Sequence, residues 1–167
     1  LEASFEFSRE GESVRIDGLQ ARVRETTLDG ELRIPAATGL PVSGRLALAA
    51  SDLARWSDIA GVDLSGRAEA TVRLAPEDGR QSARIDADAR TVGLATAASI
   101  QSVVIGGRIR LLETTVQAEM TATAEGIAAA GGELSKVSAA FDGTLEDAAL
   151  SMQAQGEFHG TLDLVAN

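Results

Sequence analysis

The sequence contains no cysteine and no tyrosine, and it has a single histidine, a single tryptophan, three prolines and only one lysine. Without cysteine there are no disulfides, no thiolate metal sites and no cysteine nucleophile. With His159 as the only imidazole, a His pair for zinc cannot form. A Ser-His-Asp arrangement would have to be built around that one residue, which lies between Phe158 and Gly160 on the polar parity of an alternating stretch. No apolar run approaches the ~18 to 20 residues of a membrane-spanning helix. The chain opens at Leu1, with no initiator Met, no charged n-region and no apolar h-region. It therefore reads as a segment of a longer chain, with any anchor or secretion signal outside it. Absence of Cys fits an oxidising envelope compartment.

Positive charge is also scarce. Twenty-five acidic residues face 15 basic ones, for a net charge of −10. The basic residues, all arginine except Lys136, are scattered along the sequence. This argues against nucleic acid, which needs a concentrated basic face. Large side chains are few, since aromatics make up 3% of a chain that is 44% hydrophobic, and alanine supplies much of the difference. A close-packed interior normally relies on large aliphatic and aromatic groups. Such a composition points to sheet faces that do not fill their own interior.

What the sequence does have is period-two alternation. From Leu64 to Leu74, the even positions are Leu64, Gly66, Ala68, Ala70, Val72 and Leu74, and the odd ones Ser65, Arg67, Glu69, Thr71 and Arg73. A strand separates these two sets onto opposite faces, whereas a helix would mix them. The same alternation occurs at Ala83–Arg90, with Ile85 apolar, at Val116–Glu125, with Met120 apolar, and around Leu28–Ile34. Shorter copies fall at Val14–Ile16, Leu19–Val23, Val42–Ala50 (Leu46 and Leu48 apolar), Ile105–Leu111, Val137–Leu145, Leu150–Phe158 (Leu150 and Met152 apolar) and Gly160–Leu164. Ten to twelve strands are predicted, each with one wet and one dry face, as in antiparallel sheets. Turn signals separate them at Pro35 to Pro41, Pro76-Glu77-Asp78-Gly79 and Gly131-Gly132. No linker divides residues 1–167, which read as one segment of a repetitive β domain.

A weaker motif, an apolar residue followed two positions later by Gly, recurs at Leu28/Gly30, Val42/Gly44, Leu64/Gly66, Phe141/Gly143 and Phe158/Gly160. Glycine inside a strand marks a bend, a bulge or a close approach. Either the sheet is creased along these glycines or they relieve crowding on a packed face. One stretch departs from the alternation. Ser51 to Gly61 predicts a short helix near 52–60, capped by Ser51 or Asp52 and stopped by Gly61. Leu53, Trp56 and Ala60 share its apolar face, with Ile59 flanking. So short a helix must dock on something, either as a plug at the end of the core or as a lid over a groove.

Carboxylates Asp86 and Asp88 share a strand face, but Arg84 and Arg90 flank them on that face, and cross-strand charge pairing on a solvated surface accounts for the set. No EF-hand loop or repeat-type calcium site is present, and Gly106-Gly107 lacks the strand-then-helix context of a phosphate loop. The residues carry no catalytic constellation, no metal site and no cofactor motif, so the expectation is a protein that is not an enzyme. The feature with functional content is the dry face. If creased, it bounds a groove that alkyl chains fill, each buried CH₂ contributing about 0.8 kcal/mol. If the two halves close on each other, it becomes an ordinary β-sandwich.

The stretch Ser51-Asp52-Leu53-Ala54-Arg55-Trp56, continuing through Gly61-Val62-Asp63-Leu64-Ser65-Gly66-Arg67, resembles a segment common in TamB/AsmA-like envelope proteins of Gram-negative bacteria. So does Phe141-Asp142-Gly143-Thr144-Leu145-Glu146-Asp147-Ala148-Ala149-Leu150, with the departure that Asp147-Ala148 stands where that family often has proline. The resemblance implies a folded-over antiparallel sheet, the β-taco, with an apolar groove. It also implies a periplasmic setting in a parent anchored in the inner membrane, phospholipid acyl chains as ligand, and an outer-membrane barrel of the assembly type as partner. Of the residues with apolar parity, Leu46, Leu48, Leu64, Val72, Leu74, Ile85, Val116, Met120, Leu150 and Met152 would line the groove. Leu53, Trp56 and Ile59 would form its lid or plug. The alternative is a scaffold that pairs its strand edges with a partner barrel or client.

Overall fold

The computed structural model describes residues 2–37, 39–94, 98–112, 115–129, 132–144, 147–157 and 160–166. His159, and with it the Phe158/Gly160 copy of the glycine motif, lies outside the described residues, as do Leu145, Glu146 and Gly131.

The chain forms one eleven-stranded sheet in which the strands follow each other in sequence order. The strands are β1 (Glu2–Glu10), β2 (Ser13–Val23), β3 (Thr26–Pro35), β4 (Ser43–Ala50), β5 (Leu64–Glu77), β6 (Arg80–Leu94), β7 (Ala98–Leu111), β8 (Val116–Ala129), β9 (Gly132–Thr144), β10 (Ala148–Gly156) and β11 (Gly160–Ala166). Every neighbouring pair is antiparallel. With ~4.8 Å between strands, the sheet extends about 48 Å from β1 to β11. The all-β reading and the single helical interruption hold. Neither of the two arrangements left open by the sequence forms, the folded-over groove or the closed sandwich, because the sheet is open and uncurled. Apart from the helical segment, which packs on β5, the substantial contacts are between strands that neighbour each other. A face so rich in alanine and glycine offers little area for one half to bury against the other.

The register preserves the alternation across the whole sheet. One row runs Ala3, Ala21, Leu28, Leu48, Ala70, Ala87, Ile105, Ala122, Ala139, Met152, Leu162, apolar on all eleven strands. The adjoining row of the same face runs Leu19, Gly30, Leu46, Val72, Ile85, Gly107, Met120, Phe141, Leu150, Leu164. A slip of one residue in any strand would move its apolar set to the wet face, and this fixes the register.

The glycine motif does not draw a single crease. Gly44 and Gly143 fall in one row, Gly30 in the next and Gly66 in a third. Close approach explains Gly30, where an added Cβ would lie 2.6 Å from a Leu46 methyl. The line of irregularity lies elsewhere. Gly66 (φ 110), Thr91 (φ 54), Gln101, Gly126 (φ 61) and Ser135 drop out of the pairing on five successive strands, β5 to β9. On β6 to β9 the step between apolar positions becomes three instead of two: Ala89 to Val92, Ile100 to Val103, Ala124 to Ile127 and Leu134 to Val137. Because Leu64 pairs with Leu94 and Val92 with Ile100, the extra residue keeps the apolar side chains on one face past the line.

The helical interruption is a 3-10 turn (Leu53–Trp56) running into one α-helical turn, α1 (Ser57–Ala60). The Asp52 carboxylate accepts from the Ala54 N–H at 3.0 Å and caps the start. Gly61, at φ 71, ends it in the left-handed region.

Candidate functional site

A chain of 17.2 kDa that folds into a compact domain exposes roughly 7,800 Å². This one exposes 11134 Å². Among the described residues only Ala50, Thr26 and Ser82 are buried, and no large side chain is fully buried. Domains ordinarily bury a sheet's apolar face against a second layer. Among the described residues the layer is missing over most of the face, and the apolar rows are left half-exposed.

The residues expected to line a groove fall onto this face together. Leu46, Val72, Ile85, Met120 and Leu150 share one row, Leu48 and Met152 lie in the row on one side of it, and Leu74 in the row on the other. Val116 pairs with Leu111 at the strand ends, both exposed, and Leu64 lies past the line of irregularity beside Leu94. The face also holds residues that alternation did not single out. Val92, Ile100, Ile127 and Leu134 follow the three-residue step, and their parity is opposite to that of the strand before it. All of β1 was missed, although Ala3, Phe5 and Phe7 alternate with Ser4, Glu6 and Ser8. Phe5 and Phe7 are 58% and 75% exposed.

The helical segment closes one corner. The Trp56 indole Nε1–H donates to Thr26 Oγ1 at 2.8 Å, beside the register pair Thr26–Ala50 that contains two of the three buried residues. Arg24 donates to the Arg55 carbonyl at 3.0 Å, Ser51 Oγ to the Glu25 carbonyl at 3.1 Å, and the Leu64 N–H to Ser57 Oγ at 2.9 Å. These bonds tie both ends of the segment to the sheet. Leu53 and Trp56 are half-buried, whereas Ile59 faces solvent at 66% exposure and takes no part in the plug. The opposite strand ends have a smaller tie. The Gln81 amide accepts from the Val42 N–H at 2.7 Å and donates to the Val42 carbonyl at 3.1 Å. Extending the β4–β5 register puts Val42 opposite Pro76, which has no N–H to offer, and the Gln81 side chain supplies the missing partner.

The other face is polar and charged. Arg73 pairs with Asp86 at 3.1 Å, Arg108 with Glu77 at 3.4 Å and Arg110 with Glu119 at 2.8 Å, all solvated, so each contributes little to stability. The cross-strand pairing expected for these carboxylates is made by Asp86 with Arg73, whereas Asp88 pairs within its own strand, with Arg90 at 3.0 Å. No group of three or more His, Asp or Glu able to hold a metal ion occurs among the described residues. No helix among them is long and apolar enough to cross a membrane. No protein-family model matches the chain, and comparison with curated proteins and with solved structures returns no match.

Proposed function

We propose that the open apolar face binds the acyl chains of lipid, and that the protein is a non-enzymatic segment of a lipid conduit. The observation that carries this reading is the apolar register running across the sheet, left without a covering layer over most of the described residues. A face of this shape has no polar anchor, so it holds a ligand by area alone and tolerates sliding along the rows. An alkyl ligand of ~15 methylenes offsets substantial ordering cost at about 0.8 kcal/mol for each buried CH₂. The resemblance to TamB-like proteins supports phospholipid as the lipid, the periplasm as the setting and an outer-membrane assembly barrel as the partner of the longer protein. The test is a photo-crosslinking residue at Met120, with Thr121 on the opposite face as control, in the chain as the cell makes it. Lipid adducts at Met120 alone are expected. Equal labelling at both positions, or none at either in folded protein, overturns the reading.

A second reading has its own observation. Among the described residues β1 is the last strand on its side of the sheet, and with its exposed Phe5 and Phe7 it supports strand addition by a client or partner barrel. Substituting Ala3 or Phe5 by proline would then abolish client capture while leaving lipid adducts at Met120 intact. The acyl-chain reading expects proline there to change neither.

A further inference from the structure

The polar face contains an arrangement that the sequence does not reveal. Arg45, Arg73, Arg84 and Arg108 occupy one register row on four adjacent strands, β4 to β7. Residues directly opposite on antiparallel strands have Cβ atoms ~5 Å apart, and like charges in such pairs are destabilising. Three such pairs follow one another in a chain whose net charge is −10. Carboxylates offset only part of the row. Asp86 takes Arg73 and Glu77 takes Arg108, while Arg45 and Arg84 have no ion-pair partner among the described residues. The two free guanidinium groups flank Arg73, and all three side chains are exposed. Acidic residues end the row on both sides, Glu31 beyond Arg45, and Glu119 then Asp142 beyond Arg108.

We propose that this ladder is a binding site for a compact phosphate-bearing anion, held by Arg45 and Arg84 with Arg73 between them. Arginine forks match phosphate oxygens bidentately, and long side chains from alternate strands, ~10 Å apart, can converge on one group. The acidic ends of the row select for size. An extended polyanion such as an acidic peptide or a nucleic acid would run onto Glu31 or Glu119, whereas a group the size of a phosphate between Arg45 and Arg84 has beside it only the Asp86 carboxylate, which Arg73 already holds at 3.1 Å. The site lies on the face opposite the apolar rows and is independent of any acyl ligand bound there.

The experiment is a titration of the whole chain with inorganic phosphate against chloride at matched low ionic strength, followed by the arginine Nε–Hε NMR resonances and by thermal unfolding. Saturable shifts at Arg45, Arg73 and Arg84 are expected, with a rise in Tm that chloride does not give. Arg45→Gln with Arg84→Gln should weaken binding at least tenfold and remove the phosphate-dependent rise. These substitutions relieve like-charge contacts, so the variant should be no less stable than the parent without phosphate. Arg67→Gln, on the same face outside the row, should bind as the parent does. Flotation with phosphatidylglycerol vesicles against phosphatidylcholine vesicles then separates the sources. Ladder-dependent capture by the anionic vesicles assigns the phosphate to a lipid headgroup, and a response to free phosphate alone assigns it to a soluble ligand. Non-saturating shifts equal to those with chloride, unchanged affinity in the double variant, or tighter binding of a poly-glutamate peptide than of phosphate would each overturn the proposal.

Discussion

Two parts of one apolar face behave differently. At the corner where β3 and β4 meet the helical segment, Thr26 and Ala50 are 8% and 5% exposed. Ala70 on the next strand, and Ala122 and Met120 further along, occupy the same face with the same alternation, yet they are only half-buried. Residue type does not account for the contrast, since Ala50, Ala70 and Ala122 are the same residue. The difference is a second layer. A single 3-10 turn carrying the only tryptophan supplies it at the corner, and nothing among the described residues supplies it elsewhere. Burial in this protein is therefore a local event imposed on a uniform surface, and substitutions should separate the two regions sharply.

The largest effect is expected at Ala50. Ala50→Asp puts an unpaired carboxylate under the helical segment and should cost about 3–5 kcal/mol in urea unfolding. Ala122→Asp, on the open face, leaves its carboxylate in contact with water and should cost less than about 1 kcal/mol. Equal losses at the two sites would mean that the corner is not distinctively covered.

The next largest effect is at the covering group itself. Trp56→Ala should cost about 2–3 kcal/mol, somewhat below the range for a fully buried aromatic because the ring is half-exposed. Thr26→Val removes the acceptor of the indole N–H and should cost about 1 kcal/mol. Because Trp56 is the sole tryptophan, its emission maximum reports on this corner alone, and Thr26→Val should move it to longer wavelength. An unchanged spectrum would show that the indole does not depend on Thr26 for its position.

The open face has structural limits of its own, set by close approach between strands. At Gly107 an added Cβ would collide with the Met120 sulfur and the Glu119 carbonyl oxygen of the adjacent strand. Gly107→Ala should therefore cost about 1–2 kcal/mol despite lying in an uncovered region. Gly106→Ala is the matched control, because its Cβ would meet only the Thr121 hydroxyl, at 3.9 Å. A loss at Gly106 as large as at Gly107 would mean that the cost comes from the glycine backbone and not from the neighbouring strand.

Much of this fold could be read along the chain, because strand alternation is a local property. Leu64 to Leu74 and Val116 to Glu125 show one class of side chain per face, and their strands follow with the predicted parity. The helical turn was legible for a similar reason, with its Asp52 cap and Gly61 stop both within a few residues. The line from Gly66 to Ser135 was not. Thr91 and Gln101 carry no mark in the sequence, and their irregularity appears only when five strands are laid side by side. Alternation read strand by strand therefore lost Val92, Ile100, Ile127 and Leu134. The pairing of Trp56 with Thr26, thirty residues apart, and the arginine row across four strands were hidden in the same way. Register carries this information, and no local window of sequence contains it.

The smallest effect on stability should accompany the largest effect on binding. Met120→Arg places a charge on the open face, where its flexible chain reaches water, so the ligand-free protein should change by less than about 1 kcal/mol. A ligand that binds only the folded chain adds about 2.7 kcal/mol when present at one hundred times its Kd. With a soluble short-chain phospholipid at that level, the parent should gain the increment and Met120→Arg should gain almost none of it. Thr121→Arg, one residue away on the wet face, should respond as the parent does. The comparison between the two regions then reverses. Ala50→Asp destroys stability by removing what the corner supplies for itself, and Met120→Arg destroys only what the open face takes from a ligand. If both Met120→Arg and the parent were stabilised equally, the proposed binding of lipid on the open face would be overturned.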